Sequence, residues 1–442
     1  MERIFSFLRL LFVKRRCFFK KLLLISGGVQ YIIFKTCEIV KIINNTEYPM
    51  RDGKLVVAQI GCGKFAEYQD LPNIASMDQL KLKWICDLDL VRAAEMQKRY
   101  GVEKITSDFK EICADPEVDM IKIATSHEIH LPIIECAAAA GKHIFCEKPM
   151  AMRDEEAWRI MKAVRKHGVK LCVDLNRRMS PALQALRKSV FDHLANPQHS
   201  PWRYIETVRE PLPEEEQKHM IIRIQDESSS YGLQHVDPLI GGGEIIGESV
   251  HWLDVACWFF APAIPVEITA WGSSRLSHGI NLKFSNGDDM TLTFSCSGTF
   301  DYPKELFEVT AGNAFFRSEF FVENNAYGFP GAKPQYFPMK HYEGNIKEEG
   351  FNAYLDKYAE RFHAFSGNGK DLETAKPFEV DKGHLNMWKA FVDAILNDKP
   401  SPCDELAGFQ STYLAQLAIR SIESRQTLPV PVERYIPAIF IR

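Results

Sequence analysis

Residues 55–60, Leu-Val-Val-Ala-Gln-Ile, form a short apolar run that ends in Gly61-Cys62-Gly63-Lys64-Phe65-Ala66. A strand that stops at closely spaced glycines and restarts as a helix can turn tightly and bring its backbone against a pyrophosphate at the helix N-terminus, with Ala66 in place of a third glycine. About twenty residues on, the distance at which dinucleotide folds carry a ribose-binding acid, Lys83-Trp84-Ile85-Cys86-Asp87 reads as the second strand. Asp87 then stands at its end, where a carboxylate favours NAD and repels the 2′-phosphate of NADP.

The same rhythm continues. Leu90 to Tyr100 has helical periodicity, Asp108 to Cys113 opens another helix, and Met120 to Thr125 is a strand ending at Ser126-His127. Pro132 lies near the first turn of the next helix and Gly141 stops it; His143 to Cys146 is a strand, Trp158 to His167 a helix, and Leu171 to Asp174 a further strand. Strands alternating with helices imply a parallel, doubly wound sheet, and ligands of such sheets bind at the carboxyl ends of the strands. Glu147-Lys148-Pro149 emerges at that edge.

These residues resemble the Gfo/Idh/MocA oxidoreductases, among them relatives of inositol dehydrogenase and glucose-fructose oxidoreductase. The resemblance runs from about Lys54 to near Ser424. It rests on Gly61-Cys62-Gly63 with Ala66, Ala140-Gly141-Lys142-His143, Glu147-Lys148-Pro149, Asn176-Arg177-Arg178-Met179-Ser180-Pro181, and Gly241-Gly242-Gly243 followed by His251-Trp252-Leu253-Asp254. It implies a Rossmann domain over 50–176, then an α+β domain over 177–442 with an open, mainly antiparallel sheet for substrate and oligomer contacts. It implies that Lys148, in a turn whose peptide to proline is often cis in the family, reaches the reacting hydroxyl, and that His251 takes part in proton transfer. The family's aspartate four residues before that histidine is missing, and Gly247 stands there. Residues three apart share a helical face, so Glu248 and Asp254 both flank His251; Glu248 is the candidate pocket carboxylate and Asp254 the candidate structural partner. The expected cofactor surface comprises Gly61, Cys62, Gly63, Phe65, Ala66, Asp87, Thr125, His130, Glu147, Lys148 and Arg177. Arg177 and Arg178 can equally bridge the domain junction, and His127 and His130 can equally cap or pack their helix.

Beyond Asn176, Arg203 to Val208, Val266 to Trp271, Asn281 to Phe284, Met290 to Ser295, Leu306 to Thr310 and Phe315 to Phe321 read as strands. Asn286-Gly287 and Gly312-Asn313 are hairpin turns. Glu210 to Ile240, with the run Glu214-Glu215-Glu216 and Ser228-Ser229-Ser230, reads as a loop that shapes the substrate site or contacts a second subunit. His384 to Leu396 and Glu405 to Ser424 are amphipathic helices expected to pack back on the body.

Length and composition fit two globular cores. The 11 cysteines are odd in number and scattered, several inside predicted strands, which suits a reducing cytoplasm. None has paired metal-ligand spacing, so no metal is expected. A net charge of −4 leaves no basic footprint for nucleic acid. Residues 1–49 are different: nine Lys/Arg against three Asp/Glu make them +6, and the remainder −10. Their longest uncharged stretch, Leu22 to Phe34, falls short of the roughly 20 residues a spanning helix needs, so membrane contact is expected only as an interfacial helix of this leader. Met50 stands just before the first strand, and a chain starting there is expected to fold and bind cofactor. Three classes of function fit: an NAD-linked dehydrogenase of a sugar, cyclitol or sugar derivative; a lyase or glycosidase that oxidises its sugar only transiently; and a non-catalytic dinucleotide-binding sensor.

Overall fold

Every residue of β1 (Leu55–Ile60), β4 (Met120–Ile123), β5 (His143–Cys146) and β6 (Leu171–Val173) is buried, as continuous apolar runs must be when helices cover both faces of a parallel sheet. With β2 (Leu80–Cys86) and β3 (Lys104–Thr106) they pair in parallel in the order β3-β2-β1-β4-β5-β6. This is the doubly wound order, with the switch point beside β1, where ligands of such sheets bind. The computed structural model describes residues 53–196, 217–227, 233–299, 302–341, 344–345, 349–356 and 379–437. The basic leader, the strand expected over 203–208 and the acidic run at 214–216 lie outside the described residues.

Local chemistry sets the helices between these strands. A π-helical turn, Ala66–Asp70, leads from the glycines into α1 (Leu71–Ala75). Asp89 caps α2 (Leu90–Tyr100) by accepting the N–H groups of Val91 and Arg92, and Gly101 closes it in the left-handed conformation. α3 (Phe109–Ala114) and α4 (His130–Ala139) follow. α5 (Asp154–His167) begins four residues before the expected Trp158, with Asp154, Glu155 and Glu156 in its first turn and Arg165, Lys166 and His167 in its last. Those charges complement the helix dipole, so the apolar pattern understates the helix at its N-terminus.

After α6 (Pro181–Ala195) the second sheet begins with β7 (His219–Gln225). It continues with β8 (Pro265–Gly272), β9 (His278–Phe284), β10 (Asp289–Ser295), β11 (Glu305–Ala311), β12 (Ala314–Glu319), β13 (Glu323–Tyr327) and β14 (Gln335–Tyr336). Spatial order is β14-β13-β12-β11-β7-β10-β9-β8, closed by Leu428–Pro429. All pairs are antiparallel except β7 with β10. Gly312 and Asn313 both take positive φ, as a two-residue hairpin turn requires. The position of β7 corrects the reading of 210–240 as a loop. His-Met-Ile-Ile-Arg-Ile-Gln buries Met220, Ile222 and Ile224 on one face and lies between β11 and β10 at the centre of the sheet.

The helices α8 (His384–Leu396) and α9 (Glu405–Ser424) return as expected. Trp388 of α8 stacks edge-on against Phe145 of β5 at 4.5 Å, while α9 packs on α5, on β8 and on α7 (Val250–Phe260). The sequence boundary at 176 therefore divides two sheets whose buried residues form one continuous apolar cluster. Among the described residues no helix is long and apolar enough to cross a membrane, and the nine cysteines there form no disulfide with one another.

Candidate active site

Gly61 leaves β1 at φ +82°, and a Cβ there would stand 2.3 Å from the carbonyl oxygen of Ala124 at the end of β4. Only glycine fits. A Cβ on Gly63 would meet nothing within 4 Å, so the turn is closed on the sheet side and open on the other. Thr125 is half-buried behind it, its methyl 3.1 Å from where a Gly61 Cβ would lie; Ala66 is buried, and Phe65 is 43% exposed. The buried Cys62 donates its N–H to Asp87 Oδ2 at 2.9 Å and its thiol at 3.2 Å, and Asp87 Oδ1 accepts from the N–H of Asp89 at 2.9 Å. Burial would raise the Asp87 pKa, but these donors hold it below the ordinary value. The result is an open backbone cradle with an ionised carboxylate at the end of the adjoining strand, a donor and charge set that fits a dinucleotide.

Lys148 follows β5, and its peptide to Pro149 is cis. Its Nζ donates to the Gly247 carbonyl at 2.7 Å and to Glu248 Oε1 at 2.5 Å. The other Glu248 oxygen accepts from Lys304 Nζ at 2.8 Å, and Lys304 also pairs with Asp226 just beyond β7. Burial would raise the Glu248 pKa, yet the two lysines hold it well below the usual carboxylate range. The pocket lysine therefore lies against a fixed anion.

The structure corrects the expected partners of His251. Glu248 sits in a π-helical turn, Ile245–Ser249, that precedes α7 and faces Lys148. Asp254 is taken up by Arg178, which pairs with both its oxygens and reaches the Pro402 carbonyl at 3.2 Å. His251 Nε2 instead accepts from Arg177 at 2.9 Å. Regular i, i+3 spacing anticipates neither contact, because a π turn changes the facing of side chains and a guanidinium from another segment competes for the carboxylate. Where Gly247 omits a side chain, the imidazole of His235 fills the room: a Cβ at 247 would lie 3.0 Å from its Cε1. His235 Nε2 is 3.2 Å from the buried Glu244.

Three residues of the expected cofactor surface turn inward. Arg177 is buried, and its other donors go to Asn176 Oδ1 at 3.0 Å and to Glu305 of β11 at 2.9 Å. Fully buried His130 holds the Pro149 carbonyl at 2.9 Å, and burial lowers its pKa to about 4. Glu147 points beneath the sheet edge to Lys122 Nζ at 2.5 Å. Asp70 at 3.1 Å and Asp174 at 4.0 Å complete the shell around this lysine. These three carboxylates come close enough together to hold a metal ion, but the Lys122 ammonium already stands among them. Burial works against that ammonium and the carboxylates outweigh it, raising its pKa. Burial raises Asp70 to about 6 and Glu147 well above its ordinary value.

Several members of the site have no counterpart in the sequence reading: Lys304, Glu305, Lys382, His384 and His235. His384 meets the Phe65 ring edge-on at 5.7 Å and donates from Nδ1 to Asp174 Oδ2 at 3.1 Å, while Lys382 donates to Glu305 at 2.9 Å. The signal that could have found some of them is a charge inside an apolar strand pattern, as with Lys122 in Met-Ile-Lys-Ile and Glu305 at the head of β11.

Comparison with known proteins finds likenesses to the first sheet and to the fold as a whole. Residues 55–175 match the family model described as "Oxidoreductase family, NAD-binding Rossmann fold", GFO_IDH_MocA. Levoglucosan dehydrogenase of Pseudarthrobacter phenanthrenivorans is 38% identical over 108 residues, 24% of this chain and 28% of that protein. Myo-inositol 2-dehydrogenase of Thermotoga maritima is 31% identical over 134 residues, 30% of this chain and 40% of that protein. The chain thus spans well under half the length of these relatives in the aligned part. A solved structure of levoglucosan dehydrogenase with NADH and L-sorbose has the same fold along 86% of this chain and 99% of its own, at a TM-score of 0.67 and 18% identity.

Proposed function

Because residues 55–175 belong to the NAD-binding Rossmann fold of the GFO_IDH_MocA oxidoreductase family, we propose that this protein is an NAD-linked dehydrogenase acting on a hydroxyl-bearing carbon of a sugar, cyclitol or sugar derivative. The observation that carries the reading is Lys148: the turn after β5 places its amine at the carboxyl edge of the sheet, held between the Gly247 carbonyl and Glu248. NAD, when bound, supplies the hydride acceptor. The chain does the rest. The Gly61–Gly63 turn receives the pyrophosphate, Asp87 the adenosine ribose, and Lys148 takes the proton of the substrate hydroxyl while that carbon is oxidised to a carbonyl. Lys304 and Glu248 are paired next to Lys148, and Arg177 is bonded to His251; such a set of polar groups suits a polyhydroxyl substrate, and two relatives carry the names of sugar and cyclitol dehydrogenases. The outer face of the second sheet, which exposes Ile221, Trp271 and Tyr327, is the surface this reading assigns to a second copy of the chain.

The test is incubation with NAD and a panel of sugars, cyclitols and sugar acids, followed by absorbance of NADH. Net NADH formation with one of them is the expected result. Turnover with retained cofactor and no net reduction would replace the reading with transient oxidation, and binding without turnover would make the protein a sensor.

Cofactor choice provides a separate check. NAD should bind more tightly than NADP in calorimetry, and Asp87→Ser should narrow the gap by roughly tenfold, about 1.4 kcal/mol. Serine retains an oxygen for the Cys62 N–H, so the cradle itself should persist. An unchanged gap would remove Asp87 from cofactor recognition.

A further inference from the structure

The imidazole of His251 is 2% exposed and has two nitrogens in different circumstances. Nε2 lies 2.9 Å from Arg177 Nη1. A guanidinium is a donor only and stays charged at any ordinary pH, so Nε2 must be the acceptor and the ring proton must sit on Nδ1. Nδ1 has no hydrogen-bond partner among the described residues although it is buried. A buried donor with nothing to bond is costly unless a ligand completes it.

Arg177 is not free to move away. Glu305 takes two of its nitrogens, at 2.9 and 3.3 Å, Asn176 Oδ1 takes a third contact at 3.0 Å, and Lys382 and Trp252 hold Glu305 at 2.9 and 3.1 Å. The charged or titratable groups acting on His251 are Arg177 from the segment after β6, Lys148 from the turn after β5, His384 from α8 and Glu248 from the preceding turn of its own helix. Burial comes first, and with Arg177 and Lys148 it outweighs Glu248 and pushes the imidazole pKa well below its ordinary value.

We propose that His251 serves as a neutral hydrogen-bond donor, through Nδ1–H, to the substrate oxygen that Lys148 deprotonates, and that Arg177 is the positioning residue that fixes this tautomer. The inference rests on the dehydrogenase reading for the identity of that oxygen. It divides the labour between the two residues: Lys148 carries the proton, while His251 stabilises the negative charge that grows on the oxygen as the proton leaves. A neutral imidazole donor does this without first losing a proton, and a permanent cation on its far nitrogen makes it a stronger donor and a poorer base.

Two measurements test this. Long-range proton–nitrogen correlation spectra of the unliganded full chain, with the His251 signals identified by their loss in His251→Asn, should show the Nδ1–H tautomer unchanged from pH 6 to 8. An Nε2–H ring, or an imidazolium forming in that range, overturns the proposal. In kinetics, asparagine retains an N–H donor near the place of Nδ1 and has no basic nitrogen, whereas alanine has neither. His251→Asn should therefore keep kcat within ~10-fold of the parent while His251→Ala loses ~10²-fold or more, the scale of a lost transition-state donor. Equal losses in the two variants, with both folded by circular dichroism, would restore His251 as a base and overturn the proposal. The spectra use the parent protein and need no substrate, so absence of turnover with every carbohydrate would count against the dehydrogenase reading and not against the tautomer.

Discussion

Lys148→Met is expected to lower kcat by at least the ~10²-fold typical of a lost acid/base group while leaving NAD affinity nearly unchanged. Methionine keeps most of the stem and removes only the amine. The cofactor cradle is built elsewhere, from Gly61, Gly63 and Asp87, so calorimetric binding of NAD should report the parent value. Folding should survive, because Glu248 keeps its ion pair with Lys304 at 2.8 Å and is not left as a buried charge without a counterion. Full activity on the true substrate in this variant would reject the mechanism, and the dinucleotide would then serve another purpose.

The second large effect is on stability. Lys122 is fully buried on β4 and is the ammonium around which Asp70, Glu147 and Asp174 gather. Lys122→Met leaves those carboxylates without it, and breaking a buried ionic cluster by removing one partner typically costs about 3–5 kcal/mol. Chemical denaturation of the two proteins should show that loss near neutral pH. The loss should also shrink on acidification. Burial raises Asp70 from the ordinary 3.8 to about 6 in the folded protein, so the folded state binds this proton more readily than the unfolded state. Stability from that protonation is full below about pH 4 and disappears as pH rises through 6. Without the lysine, uptake is favoured still more, and the deficit at pH 5.5 should be clearly smaller than at pH 8. A deficit independent of pH would mean that the carboxylates do not bear the loss.

Local signals carried the first sheet. The runs at 55–60 and 143–146 match β1 and β5 residue for residue, and 120–125 overruns β4 by two. Buried parallel strands are apolar throughout, and glycine and proline mark where they stop. β3 escaped notice because three residues, with one exposed, hold too short a pattern. β7 escaped for another reason: it follows a long polar stretch, so its seven residues looked like part of a loop although Met220, Ile222 and Ile224 alternate as a strand should. Only its pairing with β10 on one side and β11 on the other makes it central.

Of the site, the sequence by itself determined the pieces that a few consecutive residues can specify: the glycine turn, the acid after β2, and the lysine between Glu147 and Pro149. It did not determine what those side chains touch. Lys148 meets a carboxylate one hundred residues away, His251 meets an arginine seventy-four residues before it, and Arg177 meets a glutamate of the second sheet. A charged residue's neighbours in the chain say whether it is exposed or buried, because that follows from strand and helix periodicity. Its partner follows from which segments the two sheets bring to one edge and from which of several nearby charges wins the contact. That competition sent Asp254 to Arg178, Glu248 to Lys148 and Glu147 to Lys122, and it is settled only when the tertiary structure removes water from all of them together.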